Sequence, residues 1–275
     1  MTDNKATMLQ GAMRAGYAAR GVVYLIIGAL ALYAAFAGGQ AEGSSGALTF
    51  LSRQPFGAVL LGIVAAGLFA YALWRFVDAA MDLENEGSDG EGVGSRIGQA
   101  LSGATHVVLG ISAITIITSG GSSSKSGGGG STEDWTAQLM QSEIGRVAVI
   151  VAGVVTLGVG VYLFIKAYRE KWKEKMRNTQ TTERLAPVVK YGLFAHGAVL
   201  LLVGGLIAWA GLSAEPQKAA GIGEALRILE NQPFGRALLG LAGAGLVAFS
   251  AYCFVQAAYR IVPKLASGDL RTLAG

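Results

Sequence analysis

A threefold internal repeat constrains this chain more than any other feature. Gly16, Gly21 and Gly28 are spaced by five and then seven residues, and the same spacing recurs at Gly98, Gly103 and Gly110 and at Gly192, Gly197 and Gly204. Further on, Gln54-Pro55-Phe56-Gly57 returns as Gln232-Pro233-Phe234-Gly235, with Ser142-Glu143-Ile144-Gly145 between them. Self-similarity at a fixed period sets the architecture before any single element is assigned. The copies run over residues 13–82, 95–177 and 188–262 of one membrane domain, 1–275.

Each copy holds two apolar blocks: Gly16–Ala37 and Gly57–Val77, Gly98–Ser119 and Gly145–Ile165, Tyr191–Gly211 and Gly235–Ala258. Each approaches or exceeds the ~20 residues that cross a bilayer. Only 15% of residues are charged, against about a quarter in soluble domains. A span satisfies its backbone internally, and no alternating strand pattern offers a barrel, so the blocks are predicted helices. The expected fold class is an all-α integral membrane protein with six transmembrane helices, arranged as three tandem helical hairpins. An even number of spans per copy gives all three the same orientation, which allows a pseudo-threefold axis along the membrane normal.

Basic residues set the expected topology. Lys5, Arg14, Arg96, Arg169, Lys171, Lys173, Lys175, Arg177, Arg184, Arg260, Lys264 and Arg271 fall on one side, while Arg53, Lys125, Lys218 and Arg227 fall on the other. The positive-inside rule places both termini in the cytoplasm. It also explains the net charge of +4 without nucleic acid. The acidic cluster Asp82, Glu84, Glu86, Asp89 and Glu91 lies on the same inner side. The first block is preceded by cations, as a signal peptide is, but it carries the repeat's glycine pattern and partners the second block, so it is expected to stay as a span.

Short amphipathic stretches, Ala47–Arg53, Trp135–Gln141 and Ala225–Asn231, interrupt the outer loops as predicted lids or braces. Leu48 with Leu51 and Leu226 with Leu229 recur at helical spacing there. Pro55 and Pro233 suit the first turn of the following helix. The middle outer loop differs, with a glycine- and serine-rich linker at 120–130. After the fourth block, Arg169–Arg177 is predicted to extend that helix beyond the bilayer.

Gly21 and Gly28, Gly103 and Gly110, and Gly197 and Gly204 each lie seven residues apart on one helix face, where small side chains let helices approach. They are expected to hold the hairpins together. The residue before the middle glycine is Arg20, Ser102 or His196, and Arg20 lies about six residues, roughly 9 Å, inside the first block. An ionisable group at that depth is a functional candidate. Twenty-one residues past the first glycine of each second block stand Asp78, Lys166 and Gln256. An Arg20–Asp78 ion pair fits these heights; local pairing of Asp78 with Arg75, three residues earlier, competes with it, as does snorkelling of Arg20.

His106, four residues after Ser102, faces the same way, so His106 and His196 can approach a common axis. Two histidines without a nearby carboxylate make a poor metal site, so no metal and no cofactor is expected. Ser102, Thr105, Ser112, Thr115 and Ser119 share one arc of the third block, either as a wet path or as interhelical glue. Trp74/Phe76, Tyr162/Phe164 and Tyr252/Phe254 recur near the inner ends and fit an interfacial belt. Lys171, Lys173, Lys175 and Arg177, with Trp172 and Met176 among them, are candidate contacts for anionic lipid, or a topogenic anchor. No phosphate loop, dinucleotide fingerprint, metal signature or nucleophile elbow occurs, and no enzyme is expected.

Gly16-Tyr17-Ala18-Ala19-Arg20-Gly21-Val22-Val23-Tyr24, then Gln54-Pro55-Phe56-Gly57 and Tyr71-Ala72-Leu73-Trp74-Arg75, together resemble the bacterial membrane family catalogued as domain of unknown function 1206. The resemblance covers nearly the whole chain, and the middle copy departs most, with Ser102 in place of Arg20 and no Pro-Phe. It implies three copies of a two-span repeat in a bacterial inner membrane and carries no established activity. The expected function is therefore a membrane-embedded scaffold or binding protein for lipid, another apolar molecule, a partner protein or a second copy. The alternative is a small transporter or channel with a polar path near the pseudo-threefold axis.

Overall fold

The computed structural model describes residues 2–119 and 132–262. The linker at 120–130, with Lys125, lies outside the described residues, as do Lys264 and Arg271. Nine α-helices are described: α1 (Thr2–Ala37), α2 (Ser44–Ser52), α3 (Gly57–Met81), α4 (Gly90–Thr118), α5 (Thr132–Leu139), α6 (Glu143–Tyr168), α7 (Gln180–Ser213), α8 (Ile222–Glu230) and α9 (Gly235–Tyr259). Six of them, α1, α3, α4, α6, α7 and α9, are long and apolar enough to cross a membrane. Among the described residues no strand forms; a single bridge joins Met176 to Arg260.

Polar caps set where several helices begin. Asp89 accepts from the Gly92 N–H at 2.9 Å, Ser142 from the Gly145 N–H at 3.1 Å, and Thr179 from the Thr182 N–H at 3.2 Å. Each satisfies an N–H that the first turn leaves unpaired. The two Gln-Pro-Phe-Gly segments start their helices differently from expectation. Pro55 and Pro233 sit before the helix, in a turn closed by N–H···O bonds of 2.8 Å from Gly57 to Gln54 and from Gly235 to Gln232. Proline at the second turn position presets φ for a type I or type II turn, and a type II turn needs a left-handed third position. Phe56 (φ 59°) and Phe234 (φ 62°) fill that position, and both side chains are fully outside the core.

The spans neighbour one another in the order α4, α3, α1, α9, α7, α6, and α4 meets α6 only sparsely. Glycines make the tight contacts, and they do so mainly between copies. A Cβ on Gly28 of α1 would lie 2.7 Å from the Gly243 carbonyl oxygen and Val247 nitrogen of α9. One on Gly204 of α7 would lie 2.7 Å from the Leu157 nitrogen of α6. Gly110 of α4 faces Phe69 of α3, and Gly21, Gly103 and Gly197 face Phe254, Phe76 and Phe164. Each of these six glycines therefore packs on the second span of a different copy, where the hairpin account placed the contact within one copy. The glycine that opens each triplet does pack inside its own hairpin. Gly16 lies against Tyr71 and Gly192 against Ala248 and Phe249, both backbone to backbone, whereas Gly98 meets only a Val159 methyl at 3.4 Å.

At one end the short helices α2 and α8 cross, with Gly43 against Gly223, and bury Ala47, Leu48 and Leu51 on one side and Ala225 and Leu226 on the other. They act as braces across the loop end. At the opposite end the connections between copies converge. The 169–177 segment does not extend α6. The helix stops at Tyr168, Glu170 turns left-handed (φ 54°), and one 3-10 turn at Lys173–Lys175 carries the chain back. The cause is burial: Trp172 (1% exposed) and Met176 enter the core beside Tyr252. The Arg177 N–H then donates to Tyr259 O and the Ile261 N–H to Lys175 O, each at 2.9 Å.

Candidate functional site

Residues Met13, Tyr17, Arg20 and Tyr24 recur at helical spacing on the inner face of α1, and Tyr71, Arg75 and Asp78 do the same on α3. Gly16 brings these faces together, and an arginine–tyrosine network forms between them. Arg75 is its hub. It donates through Nε to the Tyr71 hydroxyl at 2.9 Å, through Nη2 to the Tyr17 hydroxyl at 2.6 Å, and through Nη1 to Asp78 Oδ2 at 3.3 Å. Arg20 Nη1 donates to the same Tyr71 hydroxyl at 2.9 Å. Two guanidinium groups thus share one phenol oxygen.

The Arg20–Asp78 pair is not formed. Asp78 is fully buried and belongs to Arg75, one turn earlier on its own helix. Arg20 instead enters an aromatic box, its guanidinium carbon 5.4 Å from the Tyr24 ring centre, 5.3 Å from Tyr71 and 5.1 Å from Phe249. Ring faces attract the charge but accept its directed N–H groups only weakly. Arg20 Nε stays buried without an acceptor, and no carboxylate among the described residues pairs with this side chain.

Both histidines border this box. The His106 ring lies 4.4 Å from that of Tyr71, and its Nδ1 is 2.7 Å from the Ser102 carbonyl. A carbonyl only accepts, so Nδ1 carries the proton. His196 stacks on Phe249 at 3.9 Å, approaches the Tyr24 hydroxyl through Nε2 at 3.5 Å, and leaves Nδ1 buried without a partner. Lys166 faces inward from α6, with its ammonium 5.5 Å from the Tyr162 ring and 5.9 Å from that of Tyr252. Gln256 is 2% exposed and its Oε1 accepts no hydrogen bond. The structure therefore gathers Arg20, His106 and His196 about one cluster, with Lys166 and Gln256 near Tyr252 and Asp78 held by Arg75.

Below Tyr17 the network reaches the converging connections. Glu84, 3% exposed at its side chain, accepts from both Nε and Nη2 of Arg260 and pairs with Lys175 at 2.9 Å. Lys175 also binds Glu86, and Arg260 lies over the Tyr17 ring at 5.3 Å. Burial alone raises the Glu84 carboxyl, but Arg260, Arg75 and Lys175 outweigh it and hold the group well below the usual carboxylate range. Burial likewise pulls the Lys175 ammonium down, and the two glutamates overcome that and raise it.

Several expected roles change in this light. Of the candidate lipid contacts, Lys175 turns inward to its carboxylates and Lys173 pairs with Glu170 at 2.5 Å. Arg177 is exposed and Lys171 partly so. Trp74 and Tyr252 are buried in the core rather than placed in an interfacial belt, and Phe76, Phe164 and Phe254 cover Gly103, Gly197 and Gly21. The α4 hydroxyls of Thr105, Ser112, Thr115 and Ser119 donate to carbonyls one turn back on their own helix, at 2.7 to 3.0 Å. Glu84, Arg260, Tyr17, Tyr71 and Arg75 join the site without being singled out by the repeat positions. The seven-residue spacing of Tyr17 with Tyr24 and of Tyr71 with Asp78 carried a signal for part of them.

This arrangement has a family setting. The family model described as Domain of Unknown Function (DUF1206) matches residues 15–82, 97–170 and 191–260, one segment in each copy. The chain belongs to this family. It is also similar to an uncharacterized protein, YxxB, of Bacillus subtilis (strain 168), with 27% identity over 251 residues and 90% of each chain covered. No solved structure matches.

Proposed function

We propose that this member of the family is a non-enzymatic binding scaffold of the bacterial inner membrane, with both termini cytoplasmic, that holds a lipid or similar apolar molecule inside its helix bundle. The proposed frame is three like-oriented hairpins about a pseudo-threefold axis. The glycine partners support it: the middle glycine of each copy lies under a phenylalanine of another copy, Gly21 under Phe254, Gly103 under Phe76 and Gly197 under Phe164.

One observation carries the choice of binding over transport. The end where the connections converge is closed by side chains from all three copies. Glu84, Arg260 and Lys175 form a buried ionic clasp, and Trp74, Leu83, Trp172 and Val262 are buried around it. A channel needs water at both ends of its polar groups, whereas a binding site needs one entrance. On the outer surface, a shallow groove of about 390 Å³ lined by Phe164, Ile165, Tyr168, Arg169 and Phe194 adds an apolar face with a cation at its rim.

Reconstituted vesicles test this proposal. The protein is expected to produce no solute flux above empty vesicles across a broad panel between pH 5 and 8, while purified protein retains lipid through delipidation. Saturable flux abolished by Arg20→Ala would make it a transporter instead.

A further inference from the structure

Resting on that proposed function, we infer that the interior site selects an amphiphile with an oxyanion head, a phosphate or carboxylate on an acyl chain, which enters between α4 and α6 and is received by Arg20.

The charge balance is the first argument. Arg20, Arg75, Lys166, Lys175 and Arg260 occupy the interior and its closed end, against Asp78, Glu84 and Glu86. Each carboxylate is taken by Arg75, Lys175 or Arg260. Arg20 and Lys166 are left with aromatic faces, on Phe249 and Tyr252 respectively, whose rings are 5.8 Å apart on one side of α9. Guanidinium presents five N–H donors in a fork that matches an oxyanion. In Arg20 one donor reaches Tyr71 and Nε reaches nothing. The buried His196 Nδ1 and the Tyr252 hydroxyl close by are also unpartnered.

Access is the second argument. Arg20 is partly exposed although Tyr17, Ala19, Val23 and Tyr24 around it on α1 are buried. Its head lies between the rings of Tyr24, Tyr71 and Phe249, on the face of α1 that turns into the bundle. The seam between α4 and α6 is the looser of the hairpin contacts. Gly16 and Gly192 touch backbone across their hairpins, while Gly98 touches only a valine methyl. α6 is also the least buried span, with 22% of its apolar window covered against 61% for α9. A sparse α4–α6 seam with the Val159 methyl on it suits an acyl chain, and a head entering there meets Arg20 and Lys166, which no carboxylate among the described residues neutralises. An anion is the complement both in charge and in acceptor count.

The test is native mass spectrometry of the delipidated full chain in neutral detergent. The probes are phosphatidylglycerol, phosphatidylcholine of the same chains, palmitate, methyl palmitate and inorganic phosphate. The expected result is one-to-one binding of phosphatidylglycerol or palmitate at least tenfold tighter than of the matched neutral probe. Arg20→Gln loses that preference and keeps the weak binding of phosphatidylcholine. Arg20→Lys, which keeps the charge, retains part of it and serves if the glutamine variant does not fold. Gly98→Phe, filling the seam, weakens both lipids together.

Equal binding of anionic and neutral probes by the wild type overturns the inference and leaves a lipid-binding scaffold standing. Equal preference in wild type and Arg20→Gln overturns the role of Arg20. Inorganic phosphate that binds and displaces phosphatidylglycerol at similar concentration overturns the amphiphile and makes the ligand a small anion. No binding of any lipid removes the proposed function itself.

Discussion

Replacing Glu84 by glutamine is expected to destabilise the whole bundle. Glu84 is the only carboxylate paired with Arg260 among the described residues, and the two side chains are 3% and 2% exposed. Removing it leaves a guanidinium buried over the Tyr17 ring, while Lys175 keeps Glu86. Breaking a buried pair by deleting one partner costs about 3–5 kcal/mol. Glutamine retains an acceptor oxygen, so the lower end applies, roughly 3 kcal/mol or a hundredfold in the folding equilibrium. Titration of mixed micelles with dodecyl sulfate, followed by helical circular dichroism, measures it at pH 7. Exchanging both Glu84 and Arg260 for leucine is expected to recover most of the loss, because an apolar pair needs no solvation.

The pH dependence has a defined sign. The native Glu84 carboxyl is held below its ordinary range, so on acidification the unfolded chain takes up the proton first. The difference between wild type and Glu84→Gln is therefore complete at neutral pH and begins to shrink as pH falls through about 4.3, the ordinary glutamate value. It vanishes only below the depressed native value. A loss under about 1 kcal/mol at pH 7, typical of exposed pairs, or a difference that grows on acidification, would refute the reasoning.

Gly28→Leu is expected to separate α1 from α9 and lower stability by at least about 1–3 kcal/mol, since a Cβ there would meet backbone at 2.7 Å. Gly62→Leu, with open space around it, is the matched control and should stay within about 0.5 kcal/mol in the same titration. Trp172→Ala removes a side chain that is 1% exposed and should cost about 3–5 kcal/mol; acrylamide quenching of the wild type should show this indole shielded. Phe56→Gly relieves a left-handed phenylalanine that is 83% exposed, so thermal melting in detergent should show stability unchanged or raised by about 1 kcal/mol. A clear drop there would mean that the Phe56 ring makes a contact.

Much of this architecture is legible in the glycine spacing, because a helix that repeats small residues every seven positions presents one narrow face. Spacing identifies the face and not its partner. That is why Gly21 and Gly28 point to a seam correctly while the helix across it, α9, belongs to another copy. The long-range clasp is less legible still. Glu84 and Arg260 are 176 residues apart, and as sequence each belongs to a run that topology already explains. The same holds for Trp172, whose basic neighbours suit a solvated helix until its own burial folds the segment back. Arg20, His106 and His196 were placed together by position in the repeat. The Arg20–Asp78 pair was lost to Arg75 because a partner one turn away on the same helix costs less to order than one on another.

Lateral access of an anionic lipid to Arg20 and Lys166 is the proposal on which the rest depends, and a cryo-electron microscopy structure of the protein in nanodiscs containing anionic lipid measures it. The expected result is elongated density between α4 and α6 that ends within hydrogen-bond distance of Arg20, with the Glu84–Arg260–Lys175 clasp closed. A glycine-packed centre without density at Arg20, or a water column open at both ends of the bundle, would contradict it.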